Sequence, residues 1–105
     1  MKKLKVTGIS HGKNRLKITL KKERVFLKHF PDILEDLGLD AEPCYLPKVL
    51  TEIDQKIFNF SDEKYNLEFV FFKRTIVMIF YGNPKNLDKA KKIMFKHADF
   101  EGVFK

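Results

Sequence analysis

The sequence predicts an α+β domain: an antiparallel sheet of about four strands, in the order β-β-α-α-β-β-α, with helices packed mainly on one face. Three observations carry that expectation. Apolar and polar residues alternate near the N-terminus. From Glu23 the period lengthens to that of a helix. A later run, Thr75 to Tyr81, is apolar on both sides. At 105 residues, 44% hydrophobic and 33% charged, the chain suits one globular domain over residues 1–105. Eleven Phe supply much of the core volume, so such a domain can be stable without a staple. The single Cys44 has no partner for an internal disulfide, which fits a reducing cytosol.

The elements follow in order. Leu4 and Val6 alternate with Lys3, Lys5 and Thr7, and Leu16, Ile18 and Leu20 with Arg15, Lys17, Thr19 and Lys21. Period two means strands with one face in and one out. Ser10-His11-Gly12-Lys13-Asn14 is turn chemistry, so these strands form a hairpin. Next, Phe26, Phe30, Ile33, Leu34 and Leu37 follow helical spacing, with Pro31 inside the stripe. Proline removes a backbone donor. The preferred solution is a short element followed by a new helix with Pro31 in its first turn, the alternative a kinked helix. Asp32 would then sit at the helix's positive end, and Gly38 would stop it.

Asp40 to Tyr45 reads as a loop, and Pro47 opens a second helix with Val49, Leu50, Ile53 and Ile57 on one face. Ser61-Asp62-Glu63-Lys64 is a turn. Tyr65–Phe72 and Thr75–Tyr81 are strands around Lys73-Arg74. A strand apolar on both faces, like the second, belongs in the middle of a sheet. Gly82-Asn83-Pro84 ends it. Asn86–His97 is a helix burying Leu87, Ala90, Ile93 and Met94, and the apolar Phe100, Val103 and Phe104 dock on the body.

Charge is sorted along the chain. Residues 1–30 hold ten Lys/Arg and one acid, 31–63 two Lys and nine acids, and 64–105 nine Lys/Arg and four acids, for a net +7. Blocks of this kind bear on partners rather than on fold. Strand alternation turns Lys3, Lys5, Arg15, Lys17 and Lys21 away from the apolar side of the hairpin, and Lys13 crowds its turn beside His11. Like charges across strands repel, and a polyanion relieves them. A second stripe, Lys85, Lys89, Lys92 and Lys96, runs along the last helix, opposite its buried side. A bland account exists for both: solvated faces, with lysines guarding a strand edge. Arg is scarce and the aromatics sit mainly at core-facing positions, which argues against sequence-specific base readout.

Other signals are weaker. Phe69-Val70-Phe71-Phe72 resembles the end of the RNA-recognition-motif signature. Tyr65-Asn66-Leu67-Glu68 precede it, where a basic and two small residues should stand, and the element order departs from that fold, so the match is a coincidence of a Phe-rich strand. Asp32, Glu35 and Asp36 share a helical face, followed by Asp40 and Glu42, with no His among them and no EF-hand spacing. This acidic surface would suit a basic protein or another copy's cationic hairpin, giving self-association. His11, His29 and His97 show no metal-ligand spacing to one another or to Cys44. His97 is explained by its place near a helix end, His29 as semi-buried structure, and Cys44 as a small buried side chain. There is no phosphate-cradling Gly-rich loop, no nucleophile elbow and no paired-His motif. Pro31-Asp32 lacks the acid-any-Lys partner of a nuclease, because Glu68-Phe69-Val70 supplies no Lys.

The expectation is therefore a small basic, non-enzymatic binding protein, with no catalytic or metal residue and no cofactor. It contacts nucleic-acid phosphates, DNA or RNA without strong sequence preference, through Lys3, Lys5, Lys13, Arg15, Lys17 and Lys21, extended by Lys85, Lys89, Lys92 and Lys96. The alternative is a protein-protein interaction module, a small regulator or inhibitor, using its segregated charged surfaces. The longest apolar run, Ile76–Tyr81, is too short to span a bilayer. The basic N-terminus lacks the apolar run of a signal peptide. Both point to a cytoplasmic protein that engages no membrane.

Overall fold

Alternation decides the first hairpin. A computed structural model describes residues 2–38, 56–61 and 66–103, with 56–61 described by their backbone. Leu4–His11 forms β1 and Arg15–Lys21 forms β2, paired antiparallel. Leu4, Val6, Leu16, Ile18 and Leu20 are buried. The turn is tighter than its composition suggests: Ser10 and His11 belong to β1, and the chain reverses over Gly12–Asn14. Gly12 N–H donates to the Arg15 carbonyl at 2.7 Å, and Gly82 N–H to that of Asn14 at 3.1 Å. The register slips between Val6 and Gly8, where Thr7 Oγ1 reaches the Thr19 carbonyl at 3.4 Å. Such a bulge bends a strand and makes its edge a poor template for another chain.

Helix α1 spans Phe26–Leu37 without a break, so the preferred division at Pro31 is wrong. Its first turn is built by Phe26 N–H to Glu23 O, Leu27 N–H to Arg24 O and Lys28 N–H to Val25 O. Pro31 lies beyond that turn and leaves the Leu27 carbonyl without its helical donor, a defect of about 3 kcal/mol. Burial of Phe26, Phe30, Ile33, Leu34 and Leu37 outweighs it, at about 1.5–3 kcal/mol for each large side chain. Asp32 is consequently well inside the helix, and no acid occupies the first turn. The expected stop holds. Gly38 adopts φ 76°, the left-handed conformation that closes a helix, and its N–H returns to Glu35 and Leu34.

The four-strand expectation is also corrected. β3 is Lys56–Ser61, β4 Asn66–Phe71 and β5 Thr75–Tyr81. Ile57, assigned above to a second helix, lies in β3; the rest of that predicted helix falls outside the described residues, as do Asp40, Glu42, Cys44 and Phe104. Phe58-Asn59-Phe60, an alternating aromatic signal assigned above to no element, continues β3. β5 occupies the centre as expected, with β4 on one side and β2 on the other.

Asn83 caps α2, Pro84–His97, by accepting from Asn86 N–H at 2.8 Å, and Pro84 fits its first turn. The chain leaves α2 fully extended at Ala98 and enters a two-residue strand, β6, Ala98–Asp99. β6 runs parallel to β1, because α2 carries the chain over the sheet between two strands of like direction. The sheet is thus mixed, in the order β3-β4-β5-β2-β1-β6.

Among the described residues, α1 and α2 cover one face. Phe26 and Phe30 of α1 meet Phe69 and Phe71 of β4, with the Phe30–Phe69 centroids 5.1 Å apart. Leu87, Ala90 and Met94 of α2 join the same cluster as Ile76, Met78 and Phe80 of β5. Phe100 is buried and Val103 packs against the cluster. Among the described residues no helix is long and apolar enough to cross a membrane.

Candidate functional site: the helix-free face of the sheet

The two basic groups lie on opposite sides of the molecule. Lys5, Arg15, Lys17 and Lys21 project from the sheet face opposite α1 and α2, helix-free among the described residues, since their neighbours in sequence are the buried core residues of β1 and β2. Register extends this face across the sheet. Arg15 stands beside Tyr81, Lys17 beside Ile79, Thr19 beside Val77 and Lys21 beside Thr75. β4 continues the rows with Asn66, Glu68 and Val70. Lys5, Arg15, Lys17 and Lys21 make no ion pair among the described residues. Among the described residues two acids flank the cations: Glu68 on β4, and Asp99, which is in register with Lys5 and accepts from Glu101 N–H at 2.9 Å.

Lys13 is exposed at the hairpin tip and His11 at the end of β1. Lys3 behaves differently from its expected group. Its ammonium turns over the sheet edge and donates to the Phe95 carbonyl of α2 at 3.3 Å. The opposite end of the sheet adds cations that alternation did not reveal. Phe72 and Thr75 close the β4–β5 turn over Lys73-Arg74, Lys22 N–H donates to the Arg74 carbonyl at 2.9 Å, and Lys22 Nζ reaches the Phe72 carbonyl at 3.0 Å. Lys21, Lys22, Lys73 and Arg74 therefore gather at one rim.

The lysines of α2 sit in the other layer. Lys85, Lys89, Lys92 and Lys96 are exposed on the side of the helix away from the sheet. There they meet the acids of α1. Lys96 Nζ lies 3.4 Å from Asp36, and Lys89 and Lys92 line a groove with Glu35 and Asp36. This stripe is not continuous with the hairpin face, and part of its charge is answered within the fold.

Beneath that groove lies a polar cluster invisible in the sequence. His29 and His97, both 5% exposed, approach with their Nδ1 atoms 3.2 Å apart. His97 is thus a buried member of a network, not merely a helix-end residue. His29 Nε2 is 2.7 Å from the Lys2 carbonyl, which only accepts, so this nitrogen carries hydrogen. His97 Nε2 is 2.7 Å from Asp36 Oδ2. The hydrogen bond from His97 holds the Asp36 carboxyl below its ordinary range against the opposing effect of burial, with Lys96 adding to the lowering. An ionised Asp36 makes His97 Nε2 a donor too. The cluster joins the segment before β1, α1 and α2 at a single point. Among the described residues no group of three or more His, Cys, Asp or Glu could hold a metal ion.

No protein-family model matches the chain, and neither a curated protein nor a solved structure matches it.

Proposed function

We propose that this is a small non-enzymatic, cytoplasmic binding protein that contacts nucleic-acid phosphates through the helix-free sheet face, without strong sequence preference. One observation carries the reading: Lys5, Arg15, Lys17 and Lys21 share that face and make no ion pair among the described residues. Unpaired cations across neighbouring strands repel one another, and each phosphate they contact relieves that repulsion and releases condensed counterions. The lysines of α2 are not needed by this reading: they lie on the opposite side of the molecule, where Lys96 pairs with Asp36 and Lys89 and Lys92 line a groove with Glu35 and Asp36.

The test is fluorescence anisotropy with labelled DNA and RNA, single- and double-stranded, from low to physiological salt. Four phosphate contacts predict a log–log salt slope of about −3 to −4. Reversing Lys5, Arg15 and Lys17 to Glu should abolish binding and leave the circular dichroism spectrum unchanged. Retained affinity in that triple variant would end the claim for this face. No binding to any of the four probes would turn attention to an acidic protein partner.

A further inference from the structure

The helix-free face carries rings as well as charge. Tyr81 is 41% exposed and Phe72 39%. Both lie on this face: Tyr81 shares its parity with Thr75, Val77 and Ile79, and Phe72 stands opposite Thr75 across the turn, its N–H bonded to the Thr75 carbonyl at 2.9 Å. Each ring has a cation in its row. Arg15 is the direct cross-strand neighbour of Tyr81, and Lys21 is that of Thr75, which Phe72 faces. The two rings stand about 20 Å apart, the length of β5 between them. Between them lie the rows of Glu68, Ile79 and Lys17 and of Val70, Val77 and Thr19, with Val70 6% and Val77 7% exposed. The other rings of the Phe-rich strand do not compete, since Phe69 and Phe71 are fully buried on the helix side.

A lone exposed aromatic needs no explanation. Two rings on one face, each in a row with a cation, match what a nucleotide offers: a phosphate beside a flat base. In a duplex the base faces are stacked on each other, so a duplex could use the cations but not the rings. In a single strand the faces are free. Resting on the phosphate-binding reading above, we infer that the helix-free face takes single-stranded nucleic acid, its phosphates along the cations of β1 and β2 and its bases stacked on Tyr81 and Phe72.

The experiment uses the full chain and a labelled oligonucleotide of about 15 nucleotides, the upper range of site sizes for a small binding domain. Single-stranded DNA, single-stranded RNA and the matching duplex are titrated at one salt concentration, with polyglutamate as competitor. The expected result is tighter binding of at least one single strand than of duplex, with little competition from polyglutamate. Tyr81→Ala should weaken single-strand binding roughly five- to 100-fold, and Tyr81→Phe should restore it. Tyr81→Ala should leave duplex binding unchanged. Both substitutions are at an exposed position, so the fold survives them. The DNA and RNA arms identify which strand is preferred. Equal affinity for duplex, efficient competition by polyglutamate, or unchanged single-strand affinity in Tyr81→Ala would overturn the inference and leave the phosphate-binding reading standing. Absence of binding to every probe would remove both.

Discussion

The two sides of this molecule treat charge differently. In the helix layer, Asp36 lies 2.7 Å from His97 Nε2 and 3.4 Å from Lys96, and Lys89 and Lys92 share a groove with Glu35. On the far side of the sheet, Arg15, Lys17 and Lys21 stand in neighbouring rows with no partner among the described residues. In the helix layer part of the charge is answered within the fold, where Asp36 of α1 ties to Lys96 and His97 of α2. Among the described residues, the sheet face keeps its cations unpaired and carries two exposed rings. Charge answered within a fold contributes to stability, whereas unanswered charge lowers stability slightly and is available to a ligand. Substitutions in the helix layer should therefore move stability and leave binding alone, and substitutions on the sheet face should do the reverse.

The sharpest contrast lies within one strand and its turn. Phe69 is fully buried against Phe26 and Phe30, and Phe72 points to the other face. Phe69→Ala should cost about 3–5 kcal/mol, close to the whole stability of a small domain. Phe72→Ala should cost about 0.5 kcal/mol, as at an ordinary surface site. Urea unfolding measures both. Similar losses would show that the helix-free face is a second core rather than a surface.

Next in size is the histidine cluster. His97→Ala leaves a buried nitrogen of His29 without its partner and removes the donor to Asp36. A loss of about 1–3 kcal/mol is expected, with nucleic-acid affinity unchanged in conditions where the variant is folded. A large fall in affinity at full folding would join the two regions that the comparison separates.

The legible and illegible parts of this fold divide along physical lines. The first hairpin could be read because alternation is local and the core enforces it: Leu16, Ile18 and Leu20 are all fully buried. Gly38 could be read because few other residues adopt its conformation at low cost. Pro31 misled, because a local defect was weighed without the tertiary burial that offsets it. β3 was hidden because Ile57 fits a helical stripe as well as a strand. β6 has two residues and no pattern of its own; only its pairing with Leu4 and Lys5 defines it. At the site, alternation revealed which lysines share a face, but not that Lys3 leaves it. Tyr81 would have been found by following the parity of Thr75, Val77 and Ile79, once β2 was set beside β5. The His29–His97 contact joins residues 68 positions apart and carries no sequence signal.

A smaller effect concerns acid. Asp36 titrates below its ordinary range in the folded protein, chiefly because His97 hydrogen-bonds to it. A depressed carboxyl contributes stability that is complete above its unfolded value and is lost as pH falls through the folded one. The urea midpoint of the native protein should therefore drop below about pH 4, the ordinary carboxylate range. Asp36→Asn should show a shallower drop, starting from a lower midpoint at neutral pH. Identical acid slopes would place the acid sensitivity elsewhere.

The smallest expected effect is the most discriminating. Lys85→Glu with Lys89→Glu changes the net charge by the same amount as Lys5→Glu with Lys17→Glu, on the opposite side of the molecule. If the overall charge of +7 were what attracts nucleic acid, the two double variants would lose affinity equally. If the helix-free face is the site, the sheet pair should lose most of the binding and flatten the salt slope by about 2, one unit per phosphate contact removed. The helix pair should change affinity by less than about threefold, the residue of long-range attraction that screening leaves at physiological salt. Neither helix lysine packs in the core, so both proteins should fold, and the comparison then reads position alone.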